Sequence, residues 1–259
     1  MRTTTNDGPA RMLNKVPEVT LFFWIIKIMA TTVGETAADF LNVNLNLGLT
    51  GTAITMGVLL LAFLVAQMDS RKYVPWIYWM TVTLLSIFGT LMTDNLVDGF
   101  GVPLQTTTAV FAVALTVTFT AWYGIERSLS IHTITTTRRE TFYWAAILFT
   151  FALGTAAGDL AAEGMHLGYA TAALIYGGLI AAVACAYYVL KINAIAAFWI
   201  AYVLTRPFGA SCGDLLSQPV NSGGLGLGTA GTSTIFLVTI LGLVTYLTVC
   251  QKAVSNPPR

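Results

Sequence analysis

What most limits how this chain can fold is a run of about twenty apolar residues, long enough to cross a bilayer as a helix, that recurs eight times. The runs are Val19–Leu41, Leu47–Met68, Pro75–Leu96, Leu104–Ile125, Thr141–Ala161, Leu167–Leu190, Ala194–Leu216 and Thr229–Val249. In hydrocarbon every backbone N–H and C=O must be satisfied inside the protein, which leaves helices or a closed barrel. The period-two alternation of barrel strands, each about ten residues long, is absent. With 56% hydrophobic and only 10% charged residues, the chain cannot cover an ordinary soluble domain in polar surface. The expectation is an all-α integral membrane protein with eight transmembrane helices.

Orientation follows from the basic residues. Arg2, Arg11, Lys15, Arg71, Lys72, Arg127, Arg138, Arg139, Lys191, Lys252 and Arg259 all fall in the tails or in loops after even-numbered spans, and the loops after odd-numbered spans carry none. The positive-inside rule then places both termini in the cytoplasm, in a multi-pass protein of the cytoplasmic membrane. Residues 1–17 are polar and lack an apolar core, so they read as a cytoplasmic tail and not as a signal peptide. Cys185, Cys212 and Cys250 are scattered, without the spacing of a disulfide framework or a zinc site. No nucleic-acid partner is indicated; the expected surroundings are membrane lipid, with oligomeric state left open.

Four times a tryptophan is followed ten residues later by glycine and fifteen residues later by aspartate: Trp24, Gly34, Asp39; Trp79, Gly89, Asp94; Trp144, Gly154, Asp159; Trp199, Gly209, Asp214. The copies are spaced by 55, 65 and 55 residues, as two rounds of duplication would leave them. Each unit is two helices: repeats over 18–68, 73–125, 141–190 and 193–250, with 126–140 as a cytoplasmic hinge between halves. A unit that crosses twice leaves every copy pointing the same way, so the repeats are parallel and their pseudo-symmetry axis runs along the membrane normal. With KVPEVTLFFW opening the first unit, GTAAGD in the third and YVLTRPFGASCGD in the fourth, the chain resembles an uncharacterised bacterial family of membrane-anchored proteins with a four-fold repeat of unknown function. That resemblance implies fold and location, not substrate.

At 100° per residue, the tryptophan and the positions seven, eleven and fifteen later share one helix face about 80° wide. The faces read Trp24, Thr31, Glu35, Asp39; Trp79, Ser86, Thr90, Asp94; Trp144, Phe151, Thr155, Asp159; and Trp199, Arg206, Ala210, Asp214. A polar stripe on an apolar helix is costly against lipid, so the four faces should converge, with odd-numbered helices at the centre and even-numbered ones shielding them. Glu35, Asp39, Asp94, Asp159 and Asp214 outnumber the span cations Lys27 and Arg206. Several carboxylates in one low-dielectric site cannot all stay charged, so some hold protons or are offset by a cation. Lys27, two turns below Glu35 and Asp39, is the expected counter-ion there, and Arg206 either pairs with an aspartate or gates, next to the helix-kinking Pro207.

With Thr31, Thr90, Thr155 and Ser211 nearby, the acids offer oxygen ligands suited to Mn²⁺, Mg²⁺ or Ca²⁺, to which Met92 and Cys212 could add softer ones. The competing reading is structural: tryptophan as an interfacial belt, glycine for close packing, aspartate as a helix cap. Gly226, Gly228 and Gly231 spell GxGxxG after no strand, which marks a lead-in to the last helix and not a nucleotide site. Asn42, Asn44 and Asn46 read as a polar outer loop, His132 as a solvated residue, and Glu163 with His166 as a surface pair. There is no GxSxG, no HExxH and no Cys/His pairing at depth, so an enzyme is not expected. The expected function is a secondary transporter moving a small cation, a divalent metal such as manganese, against protons on Glu35, Asp39, Asp94, Asp159 and Asp214. A passive cation channel and a non-transporting sensor or assembly protein are the alternatives. No cofactor is expected beyond the cation carried as substrate.

Overall fold

The structure is a computed structural model that describes residues 14–44 and 47–255. Arg2, Arg11, Asn46, Arg259 and most of the 1–17 tail lie outside the described residues, as does the side chain of Lys252. The described chain forms eight helices long and apolar enough to cross a membrane, as in a multi-pass membrane protein. They are α1 (Leu21–Asn44), α2 (Gly48–Asp69), α3 (Pro75–Asp94), α4 (Leu104–Glu126), α5 (Thr137–Asp159), α6 (Tyr169–Tyr188), α7 (Ala194–Ser217) and α8 (Thr229–Ser255).

Local chemistry sets several ends. Pro75, which has no N–H to lose, opens α3. The Asn193 side chain accepts bonds from the Ile195 and Ala196 N–H groups at the start of α7. Helix α5 begins at Thr137, four residues before the apolar run at Thr141, because Thr136 caps it by accepting from the Arg139 N–H at 3.3 Å. Pro207 removes one hydrogen bond inside α7, yet the helix runs on through it to Ser217. Right after Asp94 and Asp159 the helices widen into single π turns, Asn95–Gly99 and Leu160–Gly164.

The odd and even helices occupy different environments. Between 50% and 72% of the apolar window is buried in α1, α3, α5 and α7, against 11% to 22% in α2, α4, α6 and α8. The inner four close a ring in which α1 touches α3, α3 touches α5, α5 touches α7 and α7 returns to α1. Each outer helix packs chiefly on the first helix of the following repeat: α2 on α3, α4 on α5, α6 on α7, and α8 back on α1. No repeat buries its own faces alone, so the four units interlock.

Two layers of contacts hold the ring. At the N-terminal ends of the inner helices, the aromatic before each tryptophan meets the tryptophan of the next copy: Phe23 with Trp79 at 5.5 Å, Tyr78 with Trp144 at 5.6 Å, Tyr143 with Trp199 at 6.2 Å, and Phe198 with Trp24 at 5.7 Å. Further along, each repeat glycine seats the next copy's residue seven after its tryptophan: Gly34 against Ser86, Gly89 against Phe151, Gly154 against Arg206, and Gly209 against Thr31. A Cβ on Gly89 would lie 2.9 Å from that of Phe151, closer than real contacts allow. The glycines are therefore where backbones approach, as in small-residue membrane packing. Trp79, Trp144 and Trp199 are buried within the bundle. The interfacial-belt reading does not describe them.

Candidate functional site

From the aromatic layer toward the C-terminal ends of the inner helices, the ring interior changes from apolar to basic to acidic. Lys27 comes first and is fully buried. Its Nζ lies 4.3 Å from the Tyr202 ring centroid and 4.6 Å from that of Phe151, and donates to the Thr205 hydroxyl at 3.1 Å. Two ring faces and a hydroxyl thus surround the head of this side chain, the geometry of a cation–π contact. It makes no ion pair among the described residues. The expectation that Lys27 is the counter-ion of Glu35 and Asp39 is therefore corrected: its head lies against the Phe151 and Tyr202 rings and bonds to Thr205, not to either acid.

Arg206 takes that place. From α7 its guanidinium donates to the Glu35 carboxylate at 3.1 Å and the Thr31 carbonyl at 3.2 Å on α1, to the Thr90 hydroxyl on α3, and to the Thr155 hydroxyl at 2.6 Å on α5. A single fully buried side chain thus joins all four inner helices. The repeat pattern explains how: eleven residues after each tryptophan stand Glu35, Thr90, Thr155 and Ala210, and in the fourth copy Arg206 reaches for the polar groups of the other three. A planar five-donor fork suits that geometry; a lysine's point charge would not.

Beyond Arg206 lie the acids. One carboxylate oxygen from each of Glu35, Asp159 and Asp214 falls within 4.8 Å of the others, bringing α1, α5 and α7 to one point. Glu35 and Asp214 are buried; Asp39, Asp94 and Asp159 are half-buried. Glu35 interacts electrostatically with Asp39, Asp94, Asp159 and Asp214. Among the described residues the four aspartate side chains make no ion pair. Asp94 and Asp159, each at the junction with a π turn, make no capping bond among the described residues. The capping explanation therefore fails for those two.

The remaining candidates divide. Thr31, Thr90 and Thr155 are buried around Arg206, with Thr31 also donating to the Thr205 carbonyl at 3.2 Å. Ser211 is buried beside the acid-bearing turn of α7, its hydroxyl without a hydrogen-bond partner among the described residues. Trp24, Trp79, Trp144 and Trp199 belong to the aromatic layer and not to the acid layer. Glu163 accepts from the Tyr169 hydroxyl at 2.9 Å instead of pairing side chain to side chain with His166. Asn44 donates to its own helix, to the Phe40 carbonyl at 2.7 Å.

One polar cluster has no counterpart in the sequence reading. Lys15, assigned to the cytoplasmic tail, is buried and donates to the Glu140 carboxylate at 2.6 Å and to the Met68 carbonyl at 2.7 Å. Gln67 and the Trp144 indole donate to the other Glu140 oxygen, each at 3.4 Å. This network lies under the aromatic layer. The segment 126–140 is tied down as well, by Glu126 to Arg138 at 2.5 Å and Arg139 at 2.6 Å, and by the Trp199 indole to the Leu129 carbonyl at 2.9 Å.

Eight membrane-length helices, interlocked as four copies around a ring with a basic and an acidic layer, define a class: a helical membrane protein built from four tandem repeats. Within that class the chain belongs to the family described as Repeat of Unknown Function (DUF347), which matches it over residues 22–73, 77–128, 142–193 and 197–253. Comparison with curated proteins and with solved structures returns no match.

Proposed function

We propose that this protein is a secondary transporter that moves a small divalent cation, such as Mn²⁺, across the cytoplasmic membrane in exchange for protons. The reading rests on one observation: three carboxylate oxygens from three different helices lie within 4.8 Å of one another. Oxygens on opposite sides of a single bound ion are separated by about 4–5 Å, twice the metal–oxygen distance, so the three groups could share one ion with little movement. Glu35, Asp159 and Asp214 carry three negative charges when ionised, and Arg206 offsets one. The remainder suits one divalent cation or two protons, which is the balance an exchanger needs. Asp39 and Asp94, half-buried beside this centre, serve as its approach.

The contacts between equivalent residues at two levels of the ring support parallel repeats about an axis along the membrane normal. With the basic loops inside, both termini are cytoplasmic and the acidic layer faces outward. The aromatic layer and the Lys15–Glu140 pair then close the cytoplasmic end, which favours alternating access over a permanently open pore. Arg206 is the coupling element: a cation on Glu35 competes with its guanidinium, and that guanidinium also holds α1, α3 and α5.

The test is Mn²⁺ flux into proteoliposomes with and without a pH gradient. Gradient-driven uptake that disappears in Asp159→Asn and Asp214→Asn supports the exchanger. Uptake indifferent to the gradient moves the assignment to the passive channel, and no flux of Mn²⁺, Mg²⁺ or Ca²⁺ in either condition moves it to the sensor or assembly class.

A further inference from the structure

Away from the ring interior, a groove of about 660 Å³ runs between α4 and α7. Its wall is apolar, with Phe119 from α4 and Ile200, Val203 and Leu204 from α7. Its mouth is polar and carries donors: Arg127, Ser128 and Asn193 line it, and none of the lining residues is acidic.

The geometry points to this groove as a binding site for one anionic phospholipid, acyl chain along α7 and phosphate at Arg127. Three features of the mouth fit a phosphate. Arg127 caps α4 in the left-handed conformation, with φ of 55°, and its exposed side chain makes no ion pair among the described residues. The adjacent acid, Glu126, is committed to Arg138 and Arg139 and does not quench it. Asn193, which lines the groove, uses its side-chain oxygen to cap the first turn of α7 and keeps its amide N–H₂ as a donor.

The molecule contains its own control. A second groove of about 700 Å³ lies between α6 and α1 on the other flank of α7, with Glu18 and His132 among its lining residues and no arginine or lysine. An apolar trough alone would accept any lipid tail in either place, whereas an anionic headgroup is favoured only where the fixed charge is positive. The site is independent of the transport reading. It lies on the outward wall of α7, the helix that carries Arg206 and Pro207.

Native mass spectrometry of the full chain in detergent, titrated with dioleoyl phosphatidylglycerol or dioleoyl phosphatidylcholine, tests it. Phosphatidylglycerol adducts should exceed phosphatidylcholine adducts about fivefold, the effect of one basic residue near an anionic headgroup. Arg127→Gln should remove that preference and Ala196→Trp, which fills the groove, should remove the bound lipid, while Lys191→Gln, outside the groove, should change neither. Equal binding of the two lipids by the native protein, or a preference that survives Arg127→Gln, overturns the site. Displacement of phosphatidylglycerol by millimolar inorganic phosphate alone would assign the seat to free phosphate and overturn the lipid assignment.

Discussion

The two ends of the inner ring are built from the same four repeats and satisfied in opposite ways. At the N-terminal end aromatic rings close on one another in cyclic order, and the buried charges Lys15 and Glu140 are paired and hydrogen-bonded. At the C-terminal end Glu35, Asp159 and Asp214 gather, and among the described residues Arg206 pairs with Glu35 alone. The buried charges at the first end are matched one to one, whereas at the second the acids outnumber their cation, and on the proposed reading that surplus is what a bound ion or protons would balance.

The sharpest way to break that contrast is at the paired end. Lys15→Met would strand Glu140 as a buried uncompensated charge and should cost about 3–5 kcal/mol, read as a lower denaturation midpoint in detergent. Adding Glu140→Gln should restore much of it. If Lys15→Met unfolds like the native protein, the N-terminal network is not structural.

At the acidic end the effect should appear only with ligand. Mn²⁺ at a hundred times its dissociation constant should stabilise the native protein by about 2.7 kcal/mol. Asp159→Asn should lose that shift while its ligand-free stability stays the same or rises, because a like charge has been removed from beside Glu35 and Asp214. An Asp159→Asn protein that is badly destabilised without metal would instead make the acids structural.

The ring contacts make a smaller, signed comparison. Gly89→Ala drives a Cβ to 3.2 Å from the Ala152 backbone nitrogen and should destabilise by about 1–3 kcal/mol. Gly178→Ala, on α6 with open space around it, should stabilise by about 0.5–1 kcal/mol through helix propensity. Smallest of all, Arg138→Gln removes an ion pair whose arginine side chain is 67% exposed, and thermal unfolding should move by less than about 1 kcal/mol.

Much of the fold and part of the site can be read from the sequence. Apolar length located the eight spans, and helical periodicity put Thr31, Glu35 and Asp39 on one face and their counterparts on the others. The interior position of the odd helices followed, because a polar stripe avoids lipid. The same reasoning misassigned Lys27. It lies about two turns from the acids along α1, but its head settles against rings from α5 and α7. Lys15 was unreadable for a different reason: it lies 125 residues from Glu140, and a single lysine before an apolar run looks like any other positive-inside charge.

The sequence by itself determined which segments are helices, how many copies there are and which face of each carries polar atoms, because those properties depend on residues a few positions apart. Only the tertiary structure decided that each outer helix docks on the next repeat, that Arg206 chooses Glu35 and the two threonines, and that Asp159 and Asp214 join Glu35 while Lys27 does not. Those choices depend on how closely the glycines let backbones approach and how far each side chain then reaches, distances set between helices and not along them.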